Sequence, residues 1–254
     1  MRFETSFKSV LRYTEPMRKF AVFDIDGTVF RSSLYIEIVY ELARRSIISL
    51  PQAKLDTAFE HWASRNDQGY ITYRNQMVDM LESQIKGMEV SDFEKAAAKV
   101  VDSQVEHVYV YTRKLIRQLK EENYFLIALS GSQQELVARF ARHWKFDAFI
   151  GQTYHQKDGV FTGMVTKTHQ AKDTLLLPLI AEHQLTQKDS IAVGDTEGDI
   201  EMLAFVERPI AFNPNRKLYE HAVAQGWEII VERKDMIYKF GPGRNRNYEL
   251  QDTE

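Results

Sequence analysis

Four polar side chains stand where apolar, strand-like runs come to an end. Asp24 and Asp26 close the run Phe20 to Ile25, Ser130 follows Tyr124 to Leu129, and Asp195 follows Ser190 to Gly194. In open parallel sheets ligands bind outside the carboxyl ends of the strands, so these groups are expected to converge although they lie far apart in sequence. Carboxylate and hydroxyl oxygens gathered at one sheet edge can hold a hard cation, accept hydrogen bonds and move protons. Asp-x-Asp-Gly alone is a weak signal, since Asp-Gly also makes ordinary turns. The expected convergence carries the argument.

The elements that would position these groups follow from periodicity. Phe20 to Ile25 reads as a buried strand closed by a turn at Asp26-Gly27. From about Leu34 to His107 the pattern is helical: Leu34, Ile38 and Leu42 share a face, and Leu55, Ala58, Phe59 and Trp62 follow i, i+3, i+4, i+7 spacing, which puts Trp62 in a core. Ser91 with Glu94 resembles a capping box. Helix and strand signals then alternate, as a parallel sheet wrapped by helices requires. A helix is expected at Tyr109 to Glu121 and strands at Tyr124 to Leu129 and Asp147 to Ile150. Ser132 with Glu135 is expected to cap a helix between those strands. Asp158-Gly159 reads as a hairpin turn, followed by a helix from Ala171 to His183 and a strand at Ser190 to Gly194. Strands at Pro209 to Phe212 and Trp227 to Val231, with a helix from Asn215 to Ala224 between them, complete the pattern. The fold class is therefore α/β, a Rossmann-like parallel sheet with an inserted all-helical unit and a β-hairpin. The division is 1–33 and 108–240 for the core, 34–107 for the helical insert, and 241–254 for a mobile polar tail; Met1 to Lys19 reads as an extension before the first strand.

Composition excludes several classes. With 254 residues, 44% hydrophobic and 27% charged, the chain has the apolar content for a packed core. Its 33 basic and 36 acidic residues give a net charge of -3, which supplies no global field for nucleic acid or anionic lipid. Cys is absent, which excludes disulfides, thiol catalysis and thiolate zinc sites, and fits the cytoplasm. Apolar stretches fall far short of the roughly 20 residues of a spanning helix, so no membrane association is expected.

Read together, four segments resemble the motifs of the haloacid dehalogenase-like superfamily of magnesium-dependent phosphotransferases: Phe-Asp-Ile-Asp-Gly-Thr-Val at 23–29, Leu-Ser-Gly-Ser at 129–132, Lys172, and Gly-Asp-Thr-Glu-Gly-Asp at 194–199. They occur in that superfamily's order, and the helical insert resembles the cap of its phosphoserine phosphatase-like branch. The resemblance implies a phosphatase acting on a small phosphorylated metabolite, with Asp24 as nucleophile and Asp26 as the acid and then base. It implies Mg2+ held by Asp24, the main-chain carbonyl of Asp26 and Asp195. Ser130, the N–H of Gly131 and Lys172 would hold phosphoryl oxygens, with Lys167 the rival lysine. Thr28 and Asp199 would support the site; Asp199 fits equally a partner of Lys172 or of bound water and an acid favoured by a helix N-terminus.

These expectations make chemical sense, because an anionic phosphate ester repels a carboxylate until its charge is neutralised. The resemblance departs from phosphoserine phosphatases at the substrate. Phe-Arg-Ser-Ser-Leu-Tyr at 30–35 lacks their acid for an amino group, the first acid beyond it being Glu37, and Asp79 and Leu81 fall near where their cap arginine is expected. Candidate substrate contacts are Arg31, Tyr35 and Arg74, with Arg65, Trp62 and Tyr73 behind them; Arg31, next to the first motif, is the expected anchor for a second anion. Transfer to an acceptor other than water is an alternative outcome. A non-enzymatic receiver-like module is another, but receivers lack both the insert and an acid equivalent to Asp26.

Overall fold

The computed structural model describes residues 17–64, 69–168, 172–243 and 247–254. The N-terminal extension up to residue 16, Arg65 and the expected helix start at Ala171 lie outside them. In chain order the elements are β1 (Arg18–Phe23), α1 (Leu34–Arg44), α2 (Gln52–Ala63), α3 (Gly69–Glu82), α4 (Val90–Gln104), α5 (Val110–Glu121), β2 (Phe125–Gln133), α6 (Gln134–His143), β3 (Ala148–Lys157) and β4 (Val160–Thr166). Then come α7 (Lys172–Glu182), β5 (Leu185–Gly194), a 3₁₀ turn at Glu197–Asp199, α8 (Ile200–Ala204), β6 (Arg208–Phe212), α9 (Arg216–Gln225), β7 (Glu228–Arg233), β8 (Met236–Pro242) and β9 (Tyr248–Thr253).

One sheet holds all nine strands in the order β4-β3-β2-β1-β5-β6-β7-β8-β9. The six strands from β3 to β7 are mutually parallel, while β4, β8 and β9 pair antiparallel to their neighbours. Strand order reverses at β1, so the crevice at its carboxyl end is the topological switch point where open α/β sheets bind ligands. β1 is apolar on both faces because both are covered. Ala21 and Phe23 pack with Leu115, Ile116, Leu136 and Phe140 of α5 and α6, whereas Phe20 and Val22 pack with Leu176, Met202, Leu203 and Leu218 of α7, α8 and α9.

Helices α1 to α4 fill the chain between β1 and α5. The loop between α3 and α4 is bonded to the β3–β4 hairpin through Gly87 N to Phe161 O (2.8 Å), Phe161 N to Met88 O (3.0 Å) and Val90 N to Gly159 O (2.9 Å). The Tyr35 and Tyr154 hydroxyls share a buried 2.8 Å hydrogen bond that adds a side-chain tie between α1 and β3.

Several local expectations change. The described part of the polar tail is strand β9, registered on β8 from Tyr238↔Thr253 to Pro242↔Tyr248. Backbone ladder bonds and the Lys239 pairs with Asp252 (3.1 Å) and Glu254 (2.5 Å) hold it, although its composition suggested mobility. Helix α4 begins at Val90 with no side-chain cap, so Ser91 and Glu94 form no capping box. Helix α6 also lacks a side-chain cap: its N-cap is Gln133, one residue after Ser132.

Candidate active site

The carboxyl end of β1 leads straight into the site. Asp24 continues the ladder through its N–H to Val193 O (2.9 Å), and its side chain is buried. The chain then turns at Gly27, whose φ of +87° is left-handed and where a Cβ would run into the Asp195 carboxylate. Only glycine serves both demands. On the next strand, a Cβ on Gly194 would collide with Asp199. Two glycines thus let two acids close on the end of β1.

Lys172, at the head of α7, is only 4% exposed. Its Nζ donates to Asp24 Oδ1 at 2.8 Å and to Asp199 Oδ1 at 2.6 Å. Lys167 lies on the cleft wall beside Glu82 (3.4 Å), and so Lys172 is the lysine that reaches Asp24. The two readings of Asp199 prove compatible. Its Oδ1 takes Lys172, while its Oδ2 accepts the N–H groups of Asp195 (3.1 Å) and Thr196 (3.0 Å) at the start of the 3₁₀ turn.

Asp26 is held from three sides. Its Oδ1 accepts the Leu34 N–H (2.5 Å) at the start of α1, and its Oδ2 accepts the hydroxyls of Ser130 (2.5 Å) and Ser132 (2.9 Å) at the end of β2. Ser132 does not cap because α6 has its N-cap at Gln133, one residue later. The Gly131 carbonyl accepts the Gln152 side-chain amide, and Thr168 Oγ1 donates to Ser130 O (2.8 Å). Thr28 sits beneath the loop, its carbonyl accepting from Thr112 Oγ1 (3.1 Å).

Electrostatics single out the acids. Burial pushes the Asp24 carboxyl up to about 8 against the opposing pull of Lys172, and burial with the charge of Asp24 raises Asp195 well above its ordinary value. Lys172 is pulled down by burial, but Asp199 and Asp24 outweigh this and raise its pKa. One lysine faces four carboxyl groups, leaving an excess of negative charge in a low-dielectric place. Single carboxylate oxygens of Asp24, Asp195 and Asp199 lie within 4.8 Å of one another, and the Asp195 carboxylate accepts no hydrogen bond among the described residues. Hard oxygen donors, uncompensated charge and an unengaged carboxylate fit a divalent cation.

These groups open into a cleft of about 1310 Å³ between the sheet edge and the α2–α3 helices. Asp24, Asp26, Gly131, Ser132, Lys172 and Asp195 line its floor, and Tyr35 and Arg74 line its wall. Arg31 does not line it: that residue is exposed, with its guanidinium 5.6 Å from the centre of the Tyr109 ring. The Arg31 N–H bonds to His107 O at 2.9 Å, so the expected anchor for a second anion stands outside the cleft lining. Glu37 is also spoken for, by Ser32 Oγ (3.0 Å) and Gln104 Nε2 (2.8 Å). Trp62 is not core; it is 40% exposed and lines the cleft, as do Tyr70, Gln152 and Arg216. The last three went unremarked in the sequence, where nothing in their local pattern sets them apart from other aromatic or polar positions.

The chain matches the family model of haloacid dehalogenase-like hydrolases over residues 21–204. It belongs to that family. Helical and parallel-sheet architecture match as well: a Bordetella pertussis protein of unknown function superposes with a TM-score of 0.68 at 20% identity, covering 84% of this chain and 98% of that one. A phospho-aspartyl intermediate analogue of a phosphoserine phosphatase gives a TM-score of 0.59 at 21% identity, with 87% and 96% covered. At these identities the likeness is one of fold. Among curated relatives, a phosphoserine phosphatase of Mycobacterium tuberculosis is 23% identical over 222 residues, 82% of this chain and 69% of its own length. One of Methanocaldococcus jannaschii is 23% identical over 225 residues, 87% and 96% respectively. The protein is a phosphatase-type hydrolase of this family, a phosphoric monoester hydrolase.

Proposed function

We propose that the protein is a Mg2+-dependent phosphatase that hydrolyses a small organic phosphate monoester through an aspartyl-phosphate on Asp24. The observation that carries this reading is the buried Lys172 bridging Asp24 at 2.8 Å and Asp199 at 2.6 Å beside the unengaged carboxylate of Asp195. Asp24, the main-chain carbonyl of Asp26 and Asp195 would hold the metal. When bound, Mg2+ neutralises phosphoryl charge so that an anionic carboxylate can approach.

An Asp24 oxygen attacks phosphorus and the ester oxygen leaves. Asp26 protonates that leaving oxygen, then takes a proton from the water that cleaves the aspartyl-phosphate. Lys172, the Ser130 hydroxyl and the Gly131 N–H hold the phosphoryl oxygens; Ser130 does so by exchanging its bond to Asp26 for one to substrate. Asp199 orients Lys172, and Thr28 supports the loop. Residues 34–107 act as a cap over a core of 1–33 and 108–240, admitting small metabolites and excluding nucleic acid. Among the described residues no helix is long and apolar enough to cross a membrane. Arg74 takes the place expected of Arg31 as the guanidinium facing substrate, and Tyr35 lines the same wall. With Glu37 engaged by Ser32 and Gln104, the leaving group is not selected as phosphoserine would be.

The test is a phosphate-release assay across phosphorylated metabolites with Mg2+. Asp24→Asn abolishes turnover with an unchanged circular dichroism spectrum, and EDTA removes wild-type activity until Mg2+ is restored. Wild-type rates from Asp24→Asn, or full activity after exhaustive chelation, overturn the mechanism.

A further inference from the structure

The cleft has room for something larger than a three-carbon phosphate. Its volume of about 1310 Å³ exceeds the range of roughly 300–1,000 Å³ that suits small ligands. One wall is aromatic and runs outward from the acids. Tyr70 stands first, within electrostatic reach of Asp195 and Asp26. Trp62 follows at 6.2 Å between ring centres, and Phe59 lies 5.5 Å beyond it. Trp62 is further fixed by parallel stacking on the buried Tyr73, 5.4 Å between centres with ring planes 3° apart.

This wall is prepared but uncovered. Trp62 is 40% and Phe59 48% exposed, and both line the cleft. Large aromatic surface beside a polar reaction centre marks a place where ligand area is buried. The rim is also cationic: Arg74, one turn after Tyr70 on α3, and Arg216 line the cleft without a carboxylate partner among the described residues. An anionic ester would be drawn in by that rim and then lie with its organic part against the rings.

We infer that the substrate is a phosphate monoester whose leaving group carries a planar aromatic ring, seated against Trp62 and Phe59 while the phosphate sits over Asp24. This rests on the reading of the cleft as a phosphate-ester site. The ring contact is made before and during reaction, so it acts on binding and KM more than on kcat.

The experiment compares esters of matched leaving-group chemistry, 2-phenylethyl phosphate and propyl phosphate, with phosphoserine as a third. KM for 2-phenylethyl phosphate is expected to be lower than for propyl phosphate by roughly fivefold to tenfold, the scale of one or two aromatic contacts. Trp62→Ala erases that difference and Trp62→Phe retains most of it. Calorimetric titration of 3-phenylpropylphosphonate and propylphosphonate into the Mg2+-loaded protein reads the same preference without turnover. Hydrolysis with equal KM values, or phosphoserine as the best substrate, overturns the ring inference and leaves the phosphatase reading standing. Phosphonate binding with ring preference but no hydrolysis of any ester does the reverse.

Discussion

Lys172 is a buried cation whose whole purpose is set by the two oxygens it touches, Asp24 Oδ1 and Asp199 Oδ1. Removing it leaves crowded carboxyl groups without their counter-charge, so Lys172→Ala is expected to lower kcat by on the order of 10²-fold or more, as loss of a preorganised charge-stabilising donor does. Lys167→Ala, which loses only a contact with Glu82 at the cleft wall, leaves kcat near wild type. Steady-state kinetics on both variants checks the ranking. Arg74→Ala is expected to raise KM for an ester bearing a second anion while leaving kcat largely intact, because that contact serves ground and transition states alike. Arg31→Ala, whose guanidinium lies over Tyr109, moves neither constant; a KM rise in Arg31→Ala but not Arg74→Ala would reverse the assignment.

At the scale of elements, the site depends on where β1, β2 and β5 stop and how tightly the chain turns after β1. Gly27→Ala places a Cβ against the Asp195 carboxylate at a φ of +87°. The left-handed conformation alone costs a non-glycine residue about 1–2 kcal/mol. The variant is therefore expected to lose at least that stability in urea melts and to bind Mg2+ more weakly, since Asp195 must move. Legibility differed by element for physical reasons. Strands β1, β2 and β5 were readable because burial on both faces demands continuous apolar runs. Strand β9 was not, because its side chains are largely exposed and its pairing is made by backbone groups that composition does not report. Trp62 follows helical periodicity, yet the face it occupies looks onto the cleft instead of a core. Ser132 has the spacing of a cap, but α6 starts one residue later, with Gln133 at its N-cap, and the Ser132 hydroxyl donates to the Asp26 carboxylate at 2.9 Å.

For the molecule as a whole, the acids that serve the site work against folding when no cation is bound. Burial raises the folded-state pKa of Asp24 to about 8, with Asp195 also raised. A carboxyl whose folded pKa lies above its unfolded value keeps a proton in the fold that the unfolded chain has lost. Its contribution is fully present below the unfolded pKa, near 4, and declines as pH rises toward the folded value. Chelated protein should therefore lose stability from pH 5 to pH 8, and Asp24→Asn should flatten that slope. Mg2+ competes with those protons, so the rise in Tm on adding Mg2+ should be larger at pH 8 than at pH 5. Thermal melts at the two pH values, with and without Mg2+, test this; an equal rise at both would contradict it.

The order of chemistry-bearing residues along the chain, from Asp24 and Asp26 through Ser130 and Lys172 to Asp195, was determined by the sequence itself. So was the α/β class, because strand and helix periods are local properties of a chain. Which of two lysines reaches Asp24, whether Ser132 caps, and which arginine faces the cleft were decided only by tertiary structure. Each is a choice between partners of similar local propensity. It is settled by distances of a few ångströms between segments a hundred residues apart, such as the 2.8 Å that joins Lys172 on α7 to Asp24 beyond β1.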